Sequence, residues 1–447
     1  MSQRILISNG RVIDPAGGSD GIADVLIEGG RIAEVGRSIV ADGAMEIDAS
    51  GLVVAPGFVD AHTHLRDPGY EYKEDIASGT RAAARGGFTT VCAMPNTDPA
   101  MDNRSVIEYV LREAQARAYV RVLPIGAVTK RREGKELAEL GDLAQAGCVA
   151  FSDDGAPVWD ATVMRRALEY ASAFGLPIID HCEDASLAKD GVMHEGWVST
   201  RLGLRGQPAA AEEAAVARDV ALAEATGGHI HIAHVSTRGA IEVIRAAKRR
   251  GARVTAEVTP HHLTLTDEVV AFGAGGGEAL IYDTDAKVNP PLRSAGDVDA
   301  CVDALAEGAI DCIATDHAPH AVIEKLCEFD DAAFGISGLE TAFGLCMRLV
   351  DDGRVELPAL IERMTIAPVR ALGLDRHVPQ IGTLAVGAPG DVVVLDPERE
   401  WTVEPERFAS KGKNTPLRGV SLRGRVVATV AGGRMVHRME EAAVSGR

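Results

Sequence analysis

Cysteine is sparse and irregular: seven residues in 447, an odd number with no C-x-x-C pair, which argues against a disulfide framework and against a structural zinc knuckle. That usage fits a reducing, cytoplasmic setting. No uninterrupted run of about 18 apolar residues occurs, so no membrane span is expected. Met1 to Gly10 holds no basic segment leading into an apolar one, so secretion is not expected either. Positive charge is short as well: 46 Lys and Arg face 65 Asp and Glu, a net charge of −19, and no basic stripe interrupts the excess. Nucleic acid is thereby set aside as a partner. The same acidic exterior repels small dicarboxylates, so any anion site needs metal ions or a few Arg and His side chains to reverse the potential locally. Lysine is missing altogether between Lys135 and Lys189. Low-complexity sequence is absent, and Glu440 to Arg447 reads as a short, loose polar end.

What is present suits a large buried core, since 46% of residues are hydrophobic and 25% charged. Residues 1–55 alternate apolar and polar in short pieces (Arg4 to Ser8, Asp24 to Glu28, Arg31 to Val35) broken by glycine-rich turns, and that texture returns from Gly382 through Leu395 and from Arg423 to Val430. One composite β domain, sandwich-like and built from 1–55 plus 376–447, is expected. Between these ends, short apolar runs alternate with Ala/Glu/Arg-rich helical stretches. Candidate strands end near Asp60, Ala93, Ile125, Phe151, Asp180, Val235, Val258 and Thr315, and Gly87, Gly147, Gly175 and Gly251 suit the preceding helix-to-strand joints. Eight such repeats predict an α/β fold, a TIM (β/α)8 barrel over 56–375, with its reactive residues at the carboxyl ends of the strands.

The residues that bear chemistry fall at those ends. In Asp60-Ala61-His62-Thr63-His64 the two histidines stand at i and i+2. A strand turns such residues to one side, about 6–7 Å apart, close enough to share a metal. Alone, H-x-H is a weak signal. But His181 ends Ile178-Ile179-Asp180-His181, His234 ends His229-Ile230-His231-Ile232-Ala233-His234, and Asp316 ends Ile313-Ala314-Thr315-Asp316. Four imidazoles and a carboxylate at one rim match the ligands that zinc prefers and are costly to gather otherwise. Two neighbouring metals need a bridging anion. Ser152-Asp153-Asp154-Gly155 offers one: Asp153 is the candidate and Asp154 the rival, expected to turn outward toward the loop.

Several stretches, in order along the chain, resemble the dihydroorotases, specifically the long bacterial class I type of the amidohydrolase superfamily. They are His62-Thr63-His64-Leu65-Arg66-Asp67-Pro68-Gly69, Met94-Pro95-Asn96-Thr97, Phe151-Ser152-Asp153-Asp154-Gly155, His234-Val235-Ser236-Thr237, Val258-Thr259-Pro260-His261-His262, Lys287-Val288-Asn289-Pro290-Pro291-Leu292-Arg293 and Ala314-Thr315-Asp316-His317-Ala318-Pro319-His320. The resemblance implies two zinc ions per subunit, held by His62, His64, Asp153, His181, His234 and Asp316 and bridged by Asp153 and a hydroxide. It implies that His64, Arg66, Asn96, Asn289 and His320 hold the substrate, with backbone groups at Phe334 and Gly335 against its ring. The lysine gap fits class I members whose bridge is an aspartate in place of a carbamylated lysine.

The implied reaction is the reversible cyclisation of N-carbamoyl-L-aspartate to dihydroorotate in pyrimidine biosynthesis. Asp316 would act as the catalytic acid and base, and Arg66 would hold a carboxylate through a two-point hydrogen bond that lysine cannot copy. Arg66 could instead form an ordinary ion pair, and Asn96 after Pro95 also suits a turn. His317, beside Asp316, is expected to orient it, while His229, His231, His261 and His262 are read as packing residues or as residues that back the metal ligands. Ala321 to Phe334 lacks a helical period and reads as a loop that could cover the pocket. A homodimer and an association with aspartate carbamoyltransferase are further expectations. The alternatives are allantoinase, dihydropyrimidinase or hydantoinase, and an inactive scaffold partner of aspartate carbamoyltransferase.

Overall fold

The computed structural model describes residues 4–277 and 279–439. The polar end from Glu440 to Arg447 lies outside the described residues. The chain opens with five strands, β1 (Ile5–Asp14), β2 (Ser19–Glu28), β3 (Arg31–Gly36), β4 (Met45–Asp48) and β5 (Val53–Pro56). It then runs through β6 (Phe58–Thr63), β7 (Phe88–Ala93), β8 (Arg121–Gly126), β9 (Ala150–Ser152) and β10 (Ile178–Asp180). A short side pair, β11 (Met193–His194) and β12 (Gly206–Gln207), precedes β13 (Ile230–Ile232), β14 (Val254–Val258) and β15 (Cys312–Ile313). The last strands are β16 (Val392–Thr402), β17 (Ser421–Ala431) and β18 (Arg434–Arg438).

Eight parallel strands, β6 to β10 and β13 to β15, are neighbours in sequence order and coincide with the eight expected from the sequence. Helices connect them, and several of these helices open on a side-chain cap. Asp75 caps the helix Ile76–Arg85 by accepting from Ser78 N, and Thr237 does the same for Arg238–Arg249 through Ala240 N. Gly147, left-handed at φ 115°, ends one helix just before β9, where a side chain would be strained. The ring closes between β15 and β6. Thr315 N donates to Asp60 Oδ1 at 2.9 Å, Thr315 Oγ1 to Asp60 Oδ2 at 2.5 Å, and His64 N to the His317 carbonyl at 2.9 Å.

Both chain ends build a single mixed sheet in the order β18-β17-β16-β5-β1-β2-β3, with β4 also on β1. The join is β5 against β16, antiparallel from Val53↔Leu395 to Pro56↔Val392. Ile5, Ile7, Val25, Ile27, Val392 and Val430 form its core. All seven cysteines are free. Among the described residues no helix is long and apolar enough to cross a membrane.

Candidate metal centre and substrate pocket

Residues paired across parallel strands share a face, and this rule decides which side chains enter the barrel. Ile179 and Ala150 face the interior with Ile125. Ile178 and Phe151 face the helices. The register pairs Ile178 with Phe151 and Ile179 with Ser152, so Ser152 points inward. Continuing the alternation, Asp154 turns inward and Asp153 outward.

The structure follows this alternation and sets the Asp153 carboxylate against the loop after β8. Its Oδ1 accepts from Val128 N at 2.8 Å and from Thr129 N at 3.1 Å, and its Oδ2 accepts from the Thr129 hydroxyl. Burial pushes its pKa up to about 6, although those donors pull the other way. Asp153 is thus engaged with the loop after β8, and Asp154 is the carboxylate that lies among the imidazoles.

Asp154 Oδ1 lies 3.4 Å from His62 Nε2, 3.5 Å from His234 Nε2 and 3.7 Å from His181 Nδ1, and Oδ2 lies 3.5 Å from His64 Nε2. Asp316 Oδ1 is 2.9 Å from His64 Nε2 and 3.5 Å from His62 Nε2. His181 Nδ1 and His234 Nε2 face each other at 3.0 Å. All six side chains are buried. Burial alone would raise the Asp154 pKa, but His62, His181 and His234 outweigh it and hold the carboxyl well below the usual carboxylate range.

The backbone is bent to achieve this. His234 follows the inward-facing Ala233 and would point outward by alternation, but its φ of 32° turns the ring in. Glu212 secures that turn, accepting from Ser236 N at 2.9 Å and Thr237 N at 3.0 Å, while the buried Arg293 donates to Ser236 Oγ at 3.0 Å. Asp316 (φ 45°) and Arg66 (φ 60°) are also left-handed. Strained non-glycine residues persist where the surroundings over-determine them, as functional sites do.

The donor set fits a cation. The ligand atoms of His62, His64 and Asp316, and those of His62, Asp154 and His234, each lie within 4.8 Å of one another. Among the described residues His62 Nε2, Asp154 Oδ1 and His234 Nδ1 are buried without a hydrogen-bond partner, a cost that a metal at His62 and Asp154 would remove.

Around this centre, Asn96 Oδ1 is 2.8 Å from His64 Nδ1, and Asn96 Nδ2 donates to Asp154 Oδ2 at 3.4 Å. Arg66 Nε reaches the Pro319 carbonyl at 3.4 Å and its Nη2 lies 3.5 Å from His320 Nε2. His320 Nε2 is 2.8 Å from the Phe334 carbonyl, which brings Arg66, His320, Phe334 and Gly335 to one wall. Asn289 stands opposite: its Nδ2 is 3.1 Å from His181 Nε2 and donates to Glu183 Oε2 at 2.8 Å.

Three contributors escape the sequence reading. Glu183 shares the parity of His181, a signal that could have found it. Arg132 donates from Nη2 to the Asp154 carbonyl at 2.5 Å, on a loop with no pattern. Asn414, from the far end of the chain, donates to the Ala318 and Gly335 carbonyls at 3.0 and 2.9 Å and accepts from His320 N at 2.9 Å. The expectation that His317 orients Asp316 is not met. Its Nε2 lies 3.4 Å from Glu74 Oε2 and its Nδ1 accepts from Gly338 N at 3.2 Å, because residue 317 alternates away from 316. In the loop after β15, Lys325 Nζ donates to the carbonyls of Thr284, Lys287 and Ala333 at 2.9, 3.2 and 2.6 Å.

Comparison with known proteins gives a consistent picture. Residues 51–240 match a protein family described as dihydro-orotase-like. A dihydroorotase of Anaeromyxobacter dehalogenans is 55% identical over 99% of this chain and 100% of its own length. One from Syntrophotalea carbinolica is 53% identical over 98% and 100%. Among solved structures, the L-hydantoinase (dihydropyrimidinase) of Arthrobacter aurescens superposes with a TM-score of 0.86 at 26% identity, over 99% of this chain and 98% of that one. The dihydropyrimidinase of Brevibacillus agri gives 0.83 at 23% identity, over 98% and 95%, a likeness of fold.

Proposed function

The chain belongs to the dihydroorotase family of cyclic amide hydrolases, and from that premise we propose that its barrel rim interconverts N-carbamoyl-L-aspartate and (S)-dihydroorotate, with two zinc ions held by His62, His64, Asp154, His181, His234 and Asp316. The observation that carries this reading is the position of Asp154, one buried carboxylate set among four imidazoles, with Oδ1 open. Asp154, in place of Asp153, is the carboxylate that would hold the metals together with these histidines. Zinc, when bound, polarises the amide carbonyl and makes water nucleophilic near neutral pH.

In the ring-opening direction water adds to the ring amide carbonyl, the carbon–nitrogen bond breaks, and the freed nitrogen takes a proton. Asp316 serves that exchange. It is ionised, since His62 and His64 overcome the effect of burial and hold its carboxyl below the usual range. It can therefore accept the proton of the attacking water and return it to the leaving nitrogen. In ring closure the same carboxylate removes a proton from the carbamoyl nitrogen.

Arg66 binds the carboxylate that takes no part in the bond change, with Asn96 and His320 beside it. Burial, reinforced by Arg66, Lys73 and Lys325, lowers the His320 pKa to about 3, so His320 enters as a neutral ring. Asn289 faces the ring from the opposite side, and the backbone at Phe334 and Gly335 meets it from the wall of Arg66 and His320. Composite-domain limits of 1–55 plus 376–447 around a 56–375 barrel, a cytoplasmic location, a homodimer and an association with aspartate carbamoyltransferase belong to the same reading. Sedimentation with and without that enzyme tests the last two.

The test of function is loss of dihydroorotate ultraviolet absorbance by the purified protein, with allantoin and dihydrouracil assayed beside it. Turnover of dihydroorotate, abolished by chelation and restored by zinc, is the expected result. Turnover of dihydrouracil or allantoin in its place would move the assignment to those ring-opening enzymes. Bound zinc with no turnover of any of the three would favour the inactive scaffold.

A further inference from the structure

Beneath the rim, the barrel interior carries polar groups that the reaction does not touch. Glu257, near the end of β14, is fully buried, as are His62 above it and His231 beside it. Glu257 Oε1 lies 2.7 Å from His62 Nδ1, and Oε2 lies 3.1 Å from His231 Nε2. His231 Nδ1 is 2.8 Å from Thr255 Oγ1, and His229 Nε2 is 2.9 Å from the same hydroxyl. Strand register builds this chain, since β13 and β14 pair His231 directly with Thr255.

We propose that Glu257 is a positioning residue for the metal centre, one that fixes His62 in the tautomer whose Nε2 lone pair faces Asp154 and Asp316. The inference rests on the reading of His62 as a metal ligand. A neutral imidazole carries one N–H and one lone pair. Glu257 sits between two imidazole nitrogens, Oε1 against His62 Nδ1 and Oε2 against His231 Nε2, and a carboxylate placed so accepts from both, which puts the His62 hydrogen on Nδ1. Nε2 is then left as an acceptor, and in the structure it is buried and without a hydrogen-bond partner among the described residues. A metal arriving there meets a ring that needs neither to flip nor to exchange tautomers. Glu257 is held in turn because His231 donates to its second oxygen, and Thr255 holds His231.

Glutamine at 257 keeps the volume but offers one acceptor and one donor, so it cannot accept from both imidazoles. Glu257→Gln therefore frees His62 to sample the tautomer with its hydrogen on Nε2, which cannot bind metal. Outer partners of metal-bound histidines typically govern affinity by about 10–100-fold. The deciding experiment is zinc affinity by chelator competition on the wild type and Glu257→Gln, joined to nitrogen-15 NMR of histidine-labelled, zinc-loaded wild type.

Zinc affinity should fall about 10–100-fold in the variant, with KM for dihydroorotate unchanged once zinc saturates, and the wild-type spectrum should show His62 protonated on Nδ1. A purely structural role would lower the melting temperature and leave zinc affinity alone. Wild-type protein that binds no zinc would sink the metal reading and this inference together. Zinc bound equally by both proteins would sink the role of Glu257 alone. Should the variant not fold, the wild-type spectrum decides, since metal on His62 Nδ1 would overturn the proposal.

Discussion

At the seam of the barrel Asp60 is closed by four donors, Thr315 N, Thr315 Oγ1, Thr63 Oγ1 and His62 N. At the rim Asp154 is equally buried, yet its Oδ1 has imidazole nitrogens for neighbours and no hydrogen-bond partner among the described residues. Burial acts on both in the same sense, and the neighbouring groups set the balance. Burial pushes Asp60 up to about 6 because threonine and backbone donors offset it incompletely, whereas histidines drive Asp154 far down. A carboxylate saturated by its own protein is finished as structure. One left open among imidazole nitrogens is a seat for a cation.

Substituting both kinds of carboxylate tests the contrast most sharply. Asp154→Ala should lose bound zinc and lower turnover by more than the about 10²–10⁴-fold that removal of one acid–base group costs. Asp153→Asn, one residue away, should keep both. If Asp153→Asn instead lost its zinc, as measured by atomic absorption, the two aspartates would have to be exchanged. Asp316→Asn comes next: kcat should fall about 10²–10⁴-fold while KM moves little. Unchanged kcat would take the proton transfer away from Asp316.

Two cations near the site repeat the comparison on a smaller scale. Arg66 holds the Pro319 carbonyl and His320 only at 3.4 and 3.5 Å, long contacts that leave its guanidinium free to take a carboxylate. Arg66→Lys should raise KM for dihydroorotate about 10-fold or more, the worth of one charge-assisted hydrogen bond, with zinc content unaltered. Wild-type KM would remove Arg66 from the anion clamp. Asp60→Asn acts on the closed side. It should cost about 1–3 kcal/mol of stability through mismatched donors and leave kcat of the folded protein intact, as urea titration and assay would show.

How much of this could be read beforehand depends on the range of the interactions. The eight strand ends were legible because short apolar runs before chemical residues are a local pattern. His62, His64, His181, His234 and Asp316 were legible because strand ends share one rim. Asp153 and Asp154 were harder to tell apart, because neighbours on a strand face opposite ways. Choosing between them requires the face of Phe151, which is fixed by its pairing with Ile178. The left-handed turns at His234 and Asp316 carry no residue signature, and nothing near position 414 announces that Asn414 braces the loop beyond β15. Long-range pairing also hid the join of β5 to β16.

The smallest predicted effect concerns Lys325, the closed counterpart of Arg66, whose three carbonyl partners pin the loop from 321 to 334. Burial, helped by Lys287 and opposed by Asp285 and Asp283, lowers its pKa from 10.5 to about 8. Between those values the unfolded chain binds more protons than the folded one, so this group's contribution to stability rises as pH climbs from about 8 to 10.5. Lys325→Met removes that rise. The difference in urea midpoint between wild type and variant should therefore shift in favour of the wild type across this window. A constant difference would mean that the carbonyl cage keeps Lys325 charged throughout, and that a closed site can stabilise a cation as fully as Asp60 and its donors stabilise the seam.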